Sequence, residues 1–367
     1  MQTLIPPEVV GAKLVEWYSC IIAYDLEQAE ESKKSVDSLL LKIQQDEKLN
    51  SHYNLINFRH RLLIDQIQMK KSPEVIEQLK EEAEATDGRL KFLYYFLTGQ
   101  YEFYQERYRS ALRAYKIAEK LLDHVSSPFE KGDFLQKIGF CHYRFDHYEY
   151  ALNYIARAIE IFETDSMYLE RILNCKLTLA YIATELNQYD KAEVLFQEVL
   201  KQGESFPVTY AITLRGVGLN RVRQNKLVEA KTYFENSLSQ DSQKNTVTET
   251  KNKFNLANVL YRLGDLEEGR KMLDQAEEEA INLDLHEYMS RCLITRGLYQ
   301  DNNQDLVEQG LTQLKEEEMH FEYKEILEEI SHYYEKNDDY KNSLLYLRLA
   351  SQNINNLIIS EKRNDLI

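Results

Sequence analysis

The stretch FLTGQYEFYQERYRSALRAYKIAEKL, residues 96–121, holds two small residues, Gly99 and Ala111, with Tyr108 just before the second and Tyr115 just after it. The same plan returns in QKIGFCHYRFDHYEYALNYIARAIEI, residues 136–161, as Gly139, Ala151, Tyr148 and Ile155. Working outward, the first small position recurs as Gly99, Gly139, Ala180, Gly218 and Ala257, at gaps of 40, 41, 38 and 39 residues. The second recurs as Ala111, Ala151, Ala192, Ala230 and Gly269, always 12 residues later. Large apolar residues keep the register, with Tyr189, Leu227 and Leu266 before the second small residue and Phe196, Phe234 and Leu273 after it. A period in the range of roughly 20–50 residues means stacked supersecondary units. Small residues where two helices touch, with large ones filling the space beside the contact, make each unit a helix–turn–helix.

This is the tetratricopeptide pattern, in units longer than the usual ~34 residues. With 367 residues the chain is long for one compact core, but a solenoid escapes that ceiling because each unit packs only on its neighbours. Only 12 Gly and 5 Pro among abundant Leu, Glu, Lys, Gln and Ala favour helix throughout. The reading is an all-α fold.

Successive units span roughly 89–124, 129–165, 168–202, 207–241 and 248–282. A degenerate one follows near 287–318, with Val307 and Leu314 in register, and a last one lies around Tyr340, Leu347 and Ala350. The first 70 residues lack the repeat. They read as three helices, over Pro7–Tyr18, Leu26–Lys48 and His52–Met69, that share a small core. Pro73 breaks the third, and a connecting helix runs from about Pro73 to Ala85, closed by Thr86-Asp87-Gly88. The expected organisation is therefore a three-helix bundle over 1–70, a connecting segment over 71–88, and a tetratricopeptide superhelix of about six to seven helix pairs over 89–367.

A net charge of −16 argues against a phosphate-binding surface, so nucleic acid is not an expected direct partner. No run of about 18 apolar residues exists and the first ten residues carry no leader pattern, so no membrane partner is expected and the chain reads as cytoplasmic. Cys20, Cys141, Cys175 and Cys292 are scattered singly, as reduced and mostly buried thiols are. Gly216-Val217-Gly218 has no third glycine and falls inside a repeat helix, which makes it a close-packing site and not a phosphate cradle. No metal, nucleotide or serine-hydrolase motif occurs.

Glu16-Trp17-Tyr18, Asn57-Phe58-Arg59-His60 and Gln100-Tyr101-Glu102-Phe103, read with the repeat array, resemble the Rap family of response-regulator aspartate phosphatases along essentially the whole chain. The resemblance implies an N-terminal three-helix bundle that, with the repeats, grips a response regulator. It also implies a short signalling peptide bound inside the repeat superhelix. No cofactor of the chain's own is expected, since the regulator would carry the Mg²⁺.

Aligned outward from Phe58-Arg59-His60, the family's catalytic glutamine falls on Glu47. A neutral amide can orient water toward an aspartyl phosphate, whereas a carboxylate repels the leaving anion unless it serves as a base. Gln44, one helical turn earlier, is the substitute candidate or an ordinary solvated glutamine. Phe58 matches a regulator-contacting position, and bundle core is the equal alternative given Leu55, Leu62 and Leu63 nearby.

In the implied peptide groove, Glu185 stands for the family's anchoring aspartate and Gly216 for its backbone-clamping asparagine. Asn255, at that same coordinate one repeat later, and Asn258 are the amides able to take over the clamp. Arg215, Arg223 and Arg262 either receive a carboxylate terminus or neutralise acids such as Glu229, Glu267 and Glu268. The expected function is a cytosolic regulator that sequesters or dephosphorylates a response regulator under peptide control. The alternative is a repeat scaffold without peptide input or catalysis.

Overall fold

In the computed structural model, which describes residues 6–43, 46–68 and 88–364, every regular element is α-helix or a short 3-10 turn. Three helices come first: α1 (Pro7–Ala23), α2 (Leu26–Leu40) and α3 (Glu47–Gln68). Pro7 opens α1, where its missing N–H would have no partner anyway. Asp25 caps α2 through Gln28 N–H at 3.1 Å, and Asp46 caps α3 through Leu49 N–H at 3.0 Å. These caps correct the sequence boundaries, because α2 stops at Leu40 and α3 begins at Glu47. The predicted connecting helix from Pro73 to Ala85 lies outside the described residues.

Seven helix pairs follow. They are α4 (Gly88–Tyr104) with α5 (Tyr108–Glu119), α6 (Pro128–Tyr143) with α7 (Tyr148–Phe162), and α8 (Leu169–Glu185) with α9 (Tyr189–Gly203). Next come α10 (Pro207–Arg223) with α11 (Leu227–Leu238), and α12 (Val247–Leu263) with α13 (Leu266–Asn282). The last are α14 (His286–Tyr299) with α15 (Gln304–Glu316), and α16 (His320–Lys336) with α17 (Tyr340–Asn364).

The period has the cause inferred from the sequence. A Cβ on Gly99 would sit 2.5 Å from the Tyr115 ring, one on Gly139 3.0 Å from Ile155, and one on Gly218 2.4 Å from Phe234. Each small residue of a first helix thus receives the large residue of its paired second helix. Seven residues after the small position the chain turns through the left-handed region, at Glu106, Asp146, Asn187, Asn225 and Gly264. There the N–H groups of Asn225 and Lys226 return to the carbonyls of Val222 and Arg221, both at 2.9 Å, so the helix end is satisfied as the next helix starts. In the seventh pair Ser331 and Ser343 hold the two small positions, and the Ser331 hydroxyl donates to the Ser343 carbonyl at 2.8 Å. The sixth pair uses Gly297 and Gly310, 13 residues apart, its loop being one residue longer.

The chain divides into two compact units. The first comprises residues 1–143 and 147–216, and the second 144–146 and 217–367. In the first, Trp17, Ile21, Phe92, Phe96, Tyr115, Phe134 and Phe162 are fully buried, so α1–α3 share one packed body with the first three pairs. In the second, core side chains such as Phe234, Leu256, Leu273, Cys292, Ile326 and Leu327 fill the space between successive pairs. All four cysteines are free; three are buried and Cys20 is half-buried. No helix among the described residues is long and apolar enough to cross a membrane.

Candidate functional site

In the first unit, one face of α3 is aimed at the repeats. Leu55, Phe58, Leu62 and Leu63 are all buried. Phe58, read as a regulator contact, is 3 % exposed with its ring centroid 6.4 Å from that of Tyr101, so in this arrangement it is core. Beside it Arg59 is wholly buried and pairs with Asp133 of α6 at 3.2 Å. Asp133 is also gripped by Arg171 of α8 at 2.5 Å. Arg171 donates onward to Gln136 and to the Ile22 carbonyl of α1, and its guanidinium lies 4.4 Å from the Tyr24 ring centroid. Lys137 meets the Tyr24 hydroxyl at 2.9 Å.

The electrostatics follow from this geometry. Burial by itself would raise the Asp133 carboxyl, but Arg171 and then Arg59 outweigh it and hold it down at about 2. Glu130, one helical turn away on α6, has only Arg89 at 3.5 Å, and burial pushes it up to about 7. Trp17 donates to His60 Nδ1 at 3.2 Å, and burial lowers the His60 pKa. The bundle is therefore tied to the repeats by a buried charge network that spans α1, α3, α6 and α8.

The other end of α3 faces solvent. Glu47 is its first residue and is exposed, where a carboxylate is favoured by the unpaired N–H groups of the helix start. Gln44 lies outside the described residues.

Of the predicted groove residues, Glu185, Arg215 and Gly216 belong to the first unit. Glu185 ends α8 and is half-buried. A Cβ on Gly216 would meet Phe196 at 2.8 Å and Tyr181 at 2.9 Å, so the position that lacks the clamping amide is packed closed by rings. Burial pushes the Tyr181 phenol up to about 12 against the opposing charge of Arg215.

Arg223, Asn255, Asn258 and Arg262 belong to the second unit, on α10 and α12. Arg223 is held by Glu325 at 2.9 Å and Glu328 at 3.3 Å, both from α16. Asn258 donates to Glu329, and Arg291 of α14 joins Glu287 at 3.0 Å and Glu325 at 2.7 Å. Burial raises the Glu329 carboxyl, with Arg262 and Arg291 opposing. Asn255 differs from Asn258, because its Nδ2 is buried without a hydrogen-bond partner among the described residues. The partners of Arg223 are thus α16 glutamates about a hundred residues away, not the acids expected from the sequence; Glu229 instead receives Arg221 at 2.8 Å.

The helix pairs and this buried polar face define a tetratricopeptide-type helical repeat protein. In sequence the chain is similar to proteins of the Rap family. A family profile described as response regulator aspartate phosphatase H, N terminal, matches residues 4–65. Response regulator aspartate phosphatase I of Bacillus subtilis (strain 168) is 25 % identical over 94 % of this chain and 90 % of its own length. A Rhodococcus hoagii protein named Type II methyltransferase M.CeqI is 42 % identical over 95 % of this chain and 68 % of its own. The crystal structure of a Rap protein complexed with competence and sporulation factor superposes with a TM-score of 0.89 at 21 % identity, over 96 % of this chain and 99 % of that one. A Rap conjugation gene regulator of plasmid pLS20 in complex with the Phr* peptide gives 0.72 at 23 %, covering 97 % of both chains.

Proposed function

We propose that this chain is a peptide-controlled cytoplasmic regulator that binds a two-component response regulator through α1–α3 and the adjoining repeats. The supporting observation is Asn255, a half-buried residue whose buried Nδ2 has no hydrogen-bond partner among the described residues, on the same helix as Asn258 and Arg262. Leaving such a group unpaired costs about 1–3 kcal/mol, and an extended peptide backbone would satisfy it. Sequestration is the primary action. Glu47 stands where the family carries its glutamine, and a carboxylate there opposes departure of phosphate from an aspartyl group. The regulator would supply its own aspartate and Mg²⁺.

Isothermal titration against short synthetic peptides tests peptide control, with Asn255→Ala as the discriminating variant. Peptide affinity that survives Asn255→Ala unchanged removes the clamp. A second reading, a scaffold without peptide input, is favoured by the glutamates already seated on Arg223 and Asn258. It predicts no heat from any peptide while a response regulator is still captured.

A further inference from the structure

A cavity of about 260 Å³ opens between α1 and α3, at the end of the bundle where Glu47 begins its helix. Its walls are apolar: Gly11, Leu14 and Val15 on one side, Leu49 and Ile56 on the other. Tyr18 lines it as well; that side chain is 4 % exposed and its hydroxyl has no hydrogen-bond partner among the described residues. Burial, with Glu130 and Asp133 nearby, raises the phenol pKa well above its ordinary value, so the group is a donor at any physiological pH. Arg89 and Lys48 add cationic donors to the lining. Of the two carboxylates there, Glu8 and Asp46, the second already accepts the Leu49 N–H. Among the described residues Arg89 pairs with Glu130 alone, at 3.5 Å, which leaves guanidinium donors to spare. The Tyr18 hydroxyl and the Arg89 guanidinium therefore place unspent donors at the polar end of an apolar slot.

We propose that this cavity binds a small amphipathic carboxylate, its chain against Leu14, Leu49 and Ile56 and its carboxylate on the Tyr18 hydroxyl and the Arg89 guanidinium. The volume lies below the roughly 300 Å³ at which drug-sized ligand sites begin, which limits the ligand to a short chain. The ligand would bridge α1 and α3 to Arg89 of α4, giving the bundle a small-molecule input separate from any peptide held by the repeats.

The experiment is saturation-transfer NMR on the full chain with sodium hexanoate as probe and 1-hexanol as its neutral counterpart. Wild type should receive transfer from hexanoate, and Tyr18→Phe should weaken binding about tenfold, the loss of one charge-assisted hydrogen bond. Gly11→Leu is the blocking variant, since a Cβ at Gly11 meets nothing within 4 Å and the longer side chain would fill the slot. It should abolish transfer while leaving the circular dichroism of the chain intact. Transfer retained in Gly11→Leu, hexanol binding as well as hexanoate, or no transfer to wild type would each overturn the proposal. Should Gly11→Leu lose its helical signal, Tyr18→Phe decides alone, and unchanged hexanoate affinity there counts against it.

Discussion

Arg59 of α3 and Asp133 of α6 form an ion pair at 3.2 Å in which both side chains are wholly out of solvent. Arg171 shares the same carboxylate, so two buried guanidiniums depend on one anion. Removing one member of a buried charge cluster leaves the others uncompensated, at about 3–5 kcal/mol. Asp133→Asn keeps the shape and should loosen the bundle by that order. Hydrogen exchange on α3 and α6 reports it as lost protection in those helices, with the second unit unchanged. Equal protection in the variant would mean the pair is dispensable to the docking of α3.

Glu130 sets the pH response of the same region. Its folded pKa, about 7, lies above its ordinary 4.5, so the folded state binds a proton the unfolded state has released. Stability from this group is full below pH 4.5 and is lost as pH rises through 7, on the order of 3 kcal/mol. Asp133 works in the opposite sense, since its stabilisation is present above pH 3.8 and is lost only as pH falls through about 2. Between pH 5 and 8 the Glu130 slope should therefore outweigh that of Asp133. Chemical denaturation across that window should show wild type weakening with pH and Glu130→Gln weakening less, the raised Glu329 and the lowered His60 contributing equally to both proteins. A wild-type profile with no fall across this range would contradict the assignment.

The glycines separate into those that touch a ring and those that do not. Gly218→Ala places a methyl 2.4 Å from Phe234 and should cost about 1–3 kcal/mol, the range of core overpacking. Gly11→Ala meets nothing and should stabilise α1 by about 0.5–1 kcal/mol through helix propensity. Urea midpoints of the two variants moving in the same direction would break the account of the repeat contact.

That contact was the most legible part of the sequence, because small-to-large packing repeats in register and needs only local spacing. The sixth and seventh pairs were read less well: Gly310 is one residue out of register, and Ser331 and Ser343 are small without being Gly or Ala. The buried network escaped altogether. Arg59, Asp133 and Arg171 look like surface residues on a helix face, and their meeting joins positions 38 and 74 residues apart. Arg223 shows the same limit, since Glu325 and Glu328 reach it across 102 and 105 residues while sequence reasoning offered nearer acids.

Those glutamates bear on the proposed peptide binding. If the proposed peptide places its carboxylate terminus on Arg223, it must displace Glu325 or Glu328. Glu328→Gln would leave the guanidinium less neutralised, and binding of a peptide with a free C-terminus should tighten roughly 2- to 5-fold, the worth of one partly exposed ion pair. An amidated peptide should gain nothing. Titration of both forms against both proteins checks it, and equal gains would place the carboxylate elsewhere.

The start of α3 allows chemistry to be separated from folding. Asp46 caps the helix through the Leu49 N–H at 3.0 Å, so Asp46→Ala should fray this end at about 1 kcal/mol and disturb whatever Glu47 does. Glu47 is exposed, and Glu47→Ala should leave unfolding almost unchanged. Glu47→Gln supplies the neutral amide that the proposed phosphatase role calls for and removes the charge that would oppose a leaving phosphate. With phosphorylated regulator as substrate, phosphate loss should be slow for wild type and accelerated by Glu47→Gln, while regulator capture stays constant across all three proteins. Rapid loss with wild type that Glu47→Ala abolishes would instead make the carboxylate a working base and the chain a phosphatase in its own right.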